Sequence, residues 1–187
     1  MECRLITITP TIIFIKIMKK YILLTILILT AFSCETKVEA EKFAGEWLVE
    51  GDRIGMGYSA GDQKDADFVM KFMNAYSDKN AELMVEMSAD TVKFHPADLS
   101  GVYDIDMTNT DFIVERQSNW DSISRDYVFI MPQKLEDSER RVVTTVFSEK
   151  RFVKDGTVES VNFYERLYLN ADDKISRVVQ FSRPSND

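Results

Sequence analysis

The feature that most restricts the fold is a C-terminal block of three alternating runs, Arg141 to Phe152, Val158 to Leu169 and Ile175 to Ser182. Each carries β-branched or aromatic residues at alternate positions, the pattern of a strand with one buried face. Asp155-Gly156 joins the first two and is a strong hairpin signal. Asn170 to Lys174 closes the second turn. The three runs read as an antiparallel meander, preceded by a shorter strand, Tyr127 to Met131.

Upstream the period changes from two to that of a helix. Phe68, Val69, Phe72, Met73 and Tyr76 recur on one face, with Asp65 or Asp67 placed to cap the start. Ser77-Asp78-Lys79-Asn80 breaks this pattern, Asn80 is placed to cap again, and Leu83, Met84 and Met87 continue as a shorter amphipathic helix. Thr91 to His95 alternates as a strand that Pro96 stops. Thr108 to Asp111 has capping-box spacing, and Phe112, Ile113, Trp120 and Ile123 give a third helix one apolar face.

Helix, helix, strand, helix and a long meander is an order that resembles the nuclear transport factor 2-like superfamily, also called SnoaL-like or cystatin-like. The residues that carry the resemblance are Ser77-Asp78-Lys79-Asn80, Ala89-Asp90-Thr91-Val92 leading into Lys93-Phe94-His95-Pro96, and Asp173-Lys174-Ile175. It covers about Asp65 to Arg183. The resemblance implies an α+β fold in which three N-terminal helices wrap a curved antiparallel sheet into a cone with a pocket. Members include isomerases, dehydratases, epoxide hydrolases, cyclases and non-catalytic binding modules, so the fold does not choose the function.

A two-residue turn at Asp155-Gly156 sets Lys154 opposite Thr157, Ser148 opposite Phe163 and Val146 opposite Glu165. Pairing Leu169 with Ile175 then sets Leu167 against Arg177, Glu165 against Val179 and Phe163 against Phe181. On that register the concave face collects Val142, Thr144, Val146, Ser148, Phe163, Leu167, Leu169, Ile175, Val179 and Phe181. The expected pocket is lined by Phe72, Tyr76, Phe94, Trp120, Val146, Phe163, Arg177 and Val179. The other face, with Phe147, Asn162, Tyr164, Arg166, Tyr168 and Gln180, suits a sheet-mediated homodimer, which the resemblance also implies.

Glu165 and Arg177 interrupt the apolar set. A buried carboxylate has to be paired, neutralised or functional, so Glu165 reads either as an ion pair with Arg177 or as a general acid or base with a raised pKa. His95, the only histidine, has two readings as well. In the steroid isomerases of the resembled superfamily, the residue before the matching proline is the proton-moving carboxylate, and that position is His95 here. No tyrosine matches the oxyanion-stabilising one of those enzymes, which falls near Met70 or Lys71. A hydrogen-bonded structural histidine at a strand end is the other reading.

Gly57-Tyr58-Ser59-Ala60-Gly61 matches the nucleophile-elbow pattern G-x-S-x-G. That motif needs a strained strand-to-helix turn on a large parallel sheet, and the glycines here read instead as loop. Cys3 and Cys34 both fall in the leader or at its edge, leaving no thiol for a disulfide, zinc cluster or nucleophile in the folded part. No cofactor or metal is expected.

Lys16, Lys19 and Lys20 precede an apolar run, Tyr21 to Phe32, that ends in Ser33-Cys34. This reads as a secretory signal peptide, too short for a spanning helix. A cysteine at the cleavage point resembles the bacterial lipobox, although Ala31 stands where leucine is preferred. Met18 is an alternative start, and a single long anchor from Leu5 to Phe32 is the competing reading. The organisation expected is 1–33 signal, 34–64 tether and extension (with Phe43, Trp47 and Leu48 on a helical turn), and 65–187 domain. Location follows as the bacterial cell envelope, anchored to a membrane through lipid on Cys34.

The chain has 31 acidic against 23 basic residues, net −8. Removing Glu2, Arg4, Lys16, Lys19 and Lys20 with the leader leaves 30 against 19, a surface that disfavours nucleic acid. Two functions remain: a non-catalytic module whose cone binds a small apolar molecule or is plugged by Trp120, Phe94 and Met73, or a cofactor-free isomerase, dehydratase or hydrolase using His95 with Glu165.

Overall fold

The long alternating runs do form one sheet, and its register decides what the molecule can bind. The computed structural model describes residues 44–185. The expectations for the leader, Cys34 and Phe43 lie outside them.

Strands β1 (Tyr58–Ala60), β2 (Ser88–His95), β3 (Tyr103–Asp106), β4 (Trp120–Leu135), β5 (Arg141–Val153), β6 (Val158–Leu169) and β7 (Ile175–Pro184) make a seven-stranded sheet in the order β1-β4-β5-β6-β7-β2-β3. All neighbours are antiparallel except β2 and β7, which run parallel. Register shifts in β4, between β6 and β7, and between β2 and β7 mark bulges, and bulges of this kind bend a sheet. Helices α1 (Gln63–Ser77), α2 (Ala81–Glu86) and α3 (Asp111–Gln117) accompany it.

Helix α1 buries Val69, Phe72, Met73 and Tyr76, the stripe its sequence spells out. Asp62 is its N-cap rather than Asp65 or Asp67, and no side chain caps that end. Asp65 lies within the first turn, where it accepts a 2.8 Å bond from Arg141. The helix stops because Lys79 turns left-handed (φ +55°), letting the Asn80 amide reach Ala75 O at 2.8 Å, a Schellman-type end. The Asn80 side chain then accepts from the Leu83 amide at 3.0 Å and opens α2. Four residues thus end one helix and start the next.

Several elements differ from the sequence expectation. Helix α3 ends at Gln117, and Trp120 and Ile123 belong to β4, which runs sixteen residues rather than the five of Tyr127–Met131. Tyr58–Ala60, read as loop, is an edge strand on β4, with Ser59 opposite Lys134; Ser59 is therefore on no elbow. Trp47 and Leu48 are not helical.

The main correction is register. The β5–β6 turn has three residues, Lys154, Asp155 and Gly156: the Val153 amide donates to Thr157 O and the Gly156 amide to Val153 O, both at 2.9 Å. Gly156 takes φ +88°, the bulge form of a hairpin whose αL position glycine fills. One extra turn residue moves β5 by one place, so Phe147 faces Phe163 and Thr145 faces Glu165. A one-residue slip exchanges the two faces of a strand. On β7 the expected Leu169–Ile175 pair holds, but the ladder then skips Ser176, setting Arg177 against Tyr168, Val178 against Leu167 and Gln180 against Glu165.

Candidate functional site

The inner face that results is ordered in rows across the strands. Arg125 faces Glu149, Tyr127 faces Phe147 and then Phe163, and Thr145 faces Glu165 and then Gln180; Val143, Leu167 and Val178 form the next row. Phe147 stacks on Phe163 with centroids 5.2 Å apart. With α1, α2, α3, β2 and β3 these rows enclose a cavity of about 80 Å³, lined by apolar groups such as Phe72, Phe94, Ile105 and Leu167 and by a small polar set.

That set has two parts. In the first, Glu149 is only 1% exposed and lies between two arginines: Arg125 Nε and a terminal nitrogen of the same guanidinium reach Oε2 at 2.7 Å, and Arg151 Nε reaches Oε1 at 2.6 Å. The cations are held from behind by rings. Arg125 lies 4.6 Å from the Tyr76 centroid and 4.8 Å from that of Phe147, and Arg151 4.6 Å from that of Trp120, contacts that favour a guanidinium. Arg125 also donates to Met73 O at 3.1 Å. Burial opposes its charge, but Glu149 and Glu165 outweigh burial and raise its pKa.

The second part is Glu165 with Gln180. Glu165 is 3% exposed and accepts a hydrogen bond from Gln180 Nε2. Burial pushes its carboxyl pKa up, and neighbouring Glu149 pushes the same way; Arg125, the Gln180 bond and Arg116 oppose this without reversing it. Gln180 Oε1 and the Thr145 hydroxyl, both beside Glu165 in the row, are buried without a hydrogen-bond partner. A protonated Glu165 suits that surrounding, because it brings a donor to a place that holds idle acceptors. Burial raises the Tyr76 hydroxyl pKa as well.

Of the residues expected in the pocket, Phe72, Tyr76, Phe94, Phe163 and Glu165 line the cavity. Trp120 is buried but packs on Arg151 instead. Val146 lies on the outer face, between Phe129 and Tyr164, because the three-residue turn shifts β5. Arg177 and Val179 are also on the outer face, because the ladder skips Ser176. The expected Glu165–Arg177 pair is therefore not formed, and Gln180 stands where Val179 was placed. The same shifts carry Phe147 and Gln180 inward, out of the set assigned to the dimer face.

His95 does not join Glu165. It alternates with Phe94, which lines the cavity, and so lies half-buried on the outer face opposite Val179. Burial lowers its pKa, and Arg177 and Lys93 lower it further. The residues that sequence reasoning missed are Arg125, Glu149, Arg151, Arg116 and Gln180. Phe147, Glu149 and Arg151 do alternate in the sequence, and that spacing was the available signal for a charged end to the inner face.

An open sheet of this order, wrapped by an N-terminal helical pair and a third short helix around an internal cavity, is an α+β cone. Among solved structures, AusH from Aspergillus nidulans matches with a TM-score of 0.52 at 12% identity, over 66% of this chain and 86% of that one. SalBIII, an epoxide hydrolase/cyclase-like enzyme of pyran ring formation in the polyether salinomycin, matches at 0.51 and 12%, over 65% and 92%. A putative SnoaL-like polyketide cyclase from Shewanella denitrificans matches at 0.50 and 7%, over 65% and 92%. The chain has the nuclear transport factor 2-like, SnoaL-like fold. No protein-family model matches it, and no curated protein does.

Proposed function

We propose that the protein is a membrane-tethered binding module whose cone holds a small, neutral, largely apolar molecule carrying one hydroxyl or similar donor. The observation that carries this is the state of the cavity's polar groups. Glu149 is taken up by two arginines, burial shifts the Glu165 carboxyl toward its neutral form, and Gln180 Oε1 is left as an acceptor in a lining that is otherwise mostly apolar. A pocket with few placed polar groups and apolar walls is the usual form of a small-molecule site.

Size narrows the ligand. About 80 Å³, roughly half of the ~150 Å³ of a cavity that takes up benzene, limits the occupant to one small organic molecule. A polyether of the salinomycin kind named with SalBIII does not fit it. Tethering through Cys34 remains part of this proposal, as does a homodimer through the outer sheet face, where Phe129, Met131, Tyr164 and Phe181 are exposed.

The alternative is acid–base catalysis on a small apolar substrate. The buried carboxyl of Glu165 at the cavity wall favours it, but His95, the partner it called for, is on the other face. The test is phenol as a probe on the full-length protein, with mass spectrometry of molecules that co-purify. Phenol should raise the unfolding temperature saturably, as a ligand of the native state does, and Ile105→Phe, which fills the cavity wall, should abolish this. No co-purifying molecule and no stabilisation by phenol would overturn the binding reading.

A further inference from the structure

The outer face of the sheet carries charge that the cone does not use. Strand β2 sets Lys93 beside Arg177 and His95 beside Val179, and β7 sets Arg177 beside Tyr168 and Val179 beside Arg166. Two rows therefore cross three strands on one face: Lys93, Arg177, Tyr168, and His95, Val179, Arg166. Arg140, just ahead of β5, closes the corner. The guanidinium carbons of Arg140, Arg166 and Arg177 lie 5.8, 5.5 and 5.5 Å from the centroid of the single Tyr168 ring.

What this corner lacks is counter-charge. Among the described residues, none of these three arginines makes an ion pair. The Nε–H groups of Arg166 and Arg177 are both buried with no acceptor, whereas buried donors in native proteins are nearly always paired. Lys93 is matched by Asp104 at 3.0 Å, and the carboxylate on the adjoining groove is the exposed Glu139. Neighbouring groups report the sign of the field. Burial, Arg53 and Arg177 lower the Arg140 pKa against the opposing pull of Tyr168 and Tyr58, and the influences on His95 are burial and two cations. Inside the cone Arg125 and Arg151 are bonded to Glu149; outside, in a chain of net charge −8, Arg140, Arg166 and Arg177 stand around one ring without an ion pair among the described residues.

We propose that this corner is a binding site for a small phosphate-bearing anion, seated in the groove between Arg140 and Arg177 with Tyr168 as its floor. Arg140 and Arg177 line the groove with Glu139 as its one carboxylate, and Arg166 adds positive charge against the same Tyr168 ring; this excess favours an anion, and guanidinium forks match phosphate oxygens in pairs. The groove, lined also by Lys93, Asn170 and Ser176, is open and larger than the cone cavity, so a phosphorylated molecule larger than phosphate itself has room. The site depends on the skip at Ser176 that turns Arg177 outward, and it is independent of what the cone holds.

His95 provides the readout, since it is the only histidine in 187 residues and its two ring C–H signals are assigned without ambiguity. The full-length protein is titrated with inorganic phosphate at constant ionic strength, with His95 followed by nuclear magnetic resonance. Saturable shifts and an upward move of the His95 pKa are expected, because a bound anion offsets Arg177 and Lys93. Arg177→Gln should weaken the response roughly tenfold or more, the value of a charge-assisted bond, while Arg177→Lys should retain part of it; unchanged methyl signals certify the fold of each variant. Vesicles containing phosphatidylglycerol form a second arm. Competition between them and phosphate supports a lipid headgroup as the source, and phosphate binding without vesicle binding supports a soluble one. No saturable response in either arm, equal responses in Arg177→Gln and the parent, or a signal that follows protein concentration instead of phosphate would overturn the proposal.

Discussion

Glu149→Gln is the substitution that most directly tests the electrostatic reasoning about the cone. The parent carboxylate takes three short charge-assisted bonds from Arg125 and Arg151, whose side chains are 6% and 14% exposed. A glutamine of the same size keeps one acceptor and turns an amide N–H₂ toward the second guanidinium. Breaking a buried pair from one side costs about 3–5 kcal/mol, or about 10 °C in unfolding temperature for a domain of this size. A relief mechanism is also in place. Glu149 is among the groups that hold the Glu165 pKa up, and Arg125 pulls it down. Once Glu149 is neutral, Glu165 ionises more readily and compensates Arg125 in part. The double variant Glu149→Gln, Glu165→Gln removes that relief, so its loss should exceed the sum of the single losses by about 1–3 kcal/mol. Urea unfolding at pH 7, followed by tryptophan fluorescence, measures all three variants at comparable slope. Additive losses, or a Glu149→Gln cost below about 1 kcal/mol, would refute the idea that this carboxylate is what keeps the arginines buried.

Glu165→Gln alone should reveal the pH dependence of the parent. Because the folded-state pKa of Glu165 is raised above its ordinary 4.5, its stabilising contribution is complete below that value and is lost as pH rises through the folded pKa. The variant should therefore gain on the parent as pH increases and level off above that pKa; a gap independent of pH from 4 to 8 in urea titrations contradicts this. Gly61→Ala should cost about 1–3 kcal/mol, the range for overpacking, because a Cβ there meets Gln133 N and Pro132 C at 2.9 Å and presses β1 off β4; an unchanged urea midpoint argues against that contact. Cys34→Ala should leave the membrane fraction and lose processing at that site, as read by fractionation and intact mass, and membrane retention with unchanged processing would defeat the lipoprotein reading.

What could be read from residues alone was local. The apolar stripe of α1, the double use of Asn80 and the three long strands are each set by neighbours a few positions apart, and they appear in the structure where the spacing puts them. Trp120 and Ile123 fit the spacing of an extended α3 as well as the start of a strand, and the choice rests with β5, which lies opposite them. Asp65 looked like a cap because aspartate commonly is one; an arginine seventy-six positions away claims it instead. Long-range partners of this kind leave no mark on the local pattern.

The site was legible only as far as the register was, and each register error has a physical cause of one residue. Asp155-Gly156 suits both a two-residue turn and a three-residue turn with glycine at the left-handed position; the extra residue here is Lys154. β5 allows the ambiguity because both of its faces are buried and carry the same β-branched pair near the start: Val142 with Thr144 on one, Val143 with Thr145 on the other. Only the far end distinguishes the faces. With Val146 and Ser148 inward, Glu149 and Arg151 would face outward and Arg125 would lose its carboxylate; with Phe147 inward, Glu149 meets Arg125 and Phe147 meets Phe163. The arginine on β4 therefore favours the observed register, since the alternative leaves a buried guanidinium without its carboxylate. The skip at Ser176 does the converse on β7, bringing Gln180 in beside Glu165 and sending Arg177 out beside Tyr168. A hydrogen-bonded Glu165 inside and an unbalanced cation outside are two consequences of the same bulge.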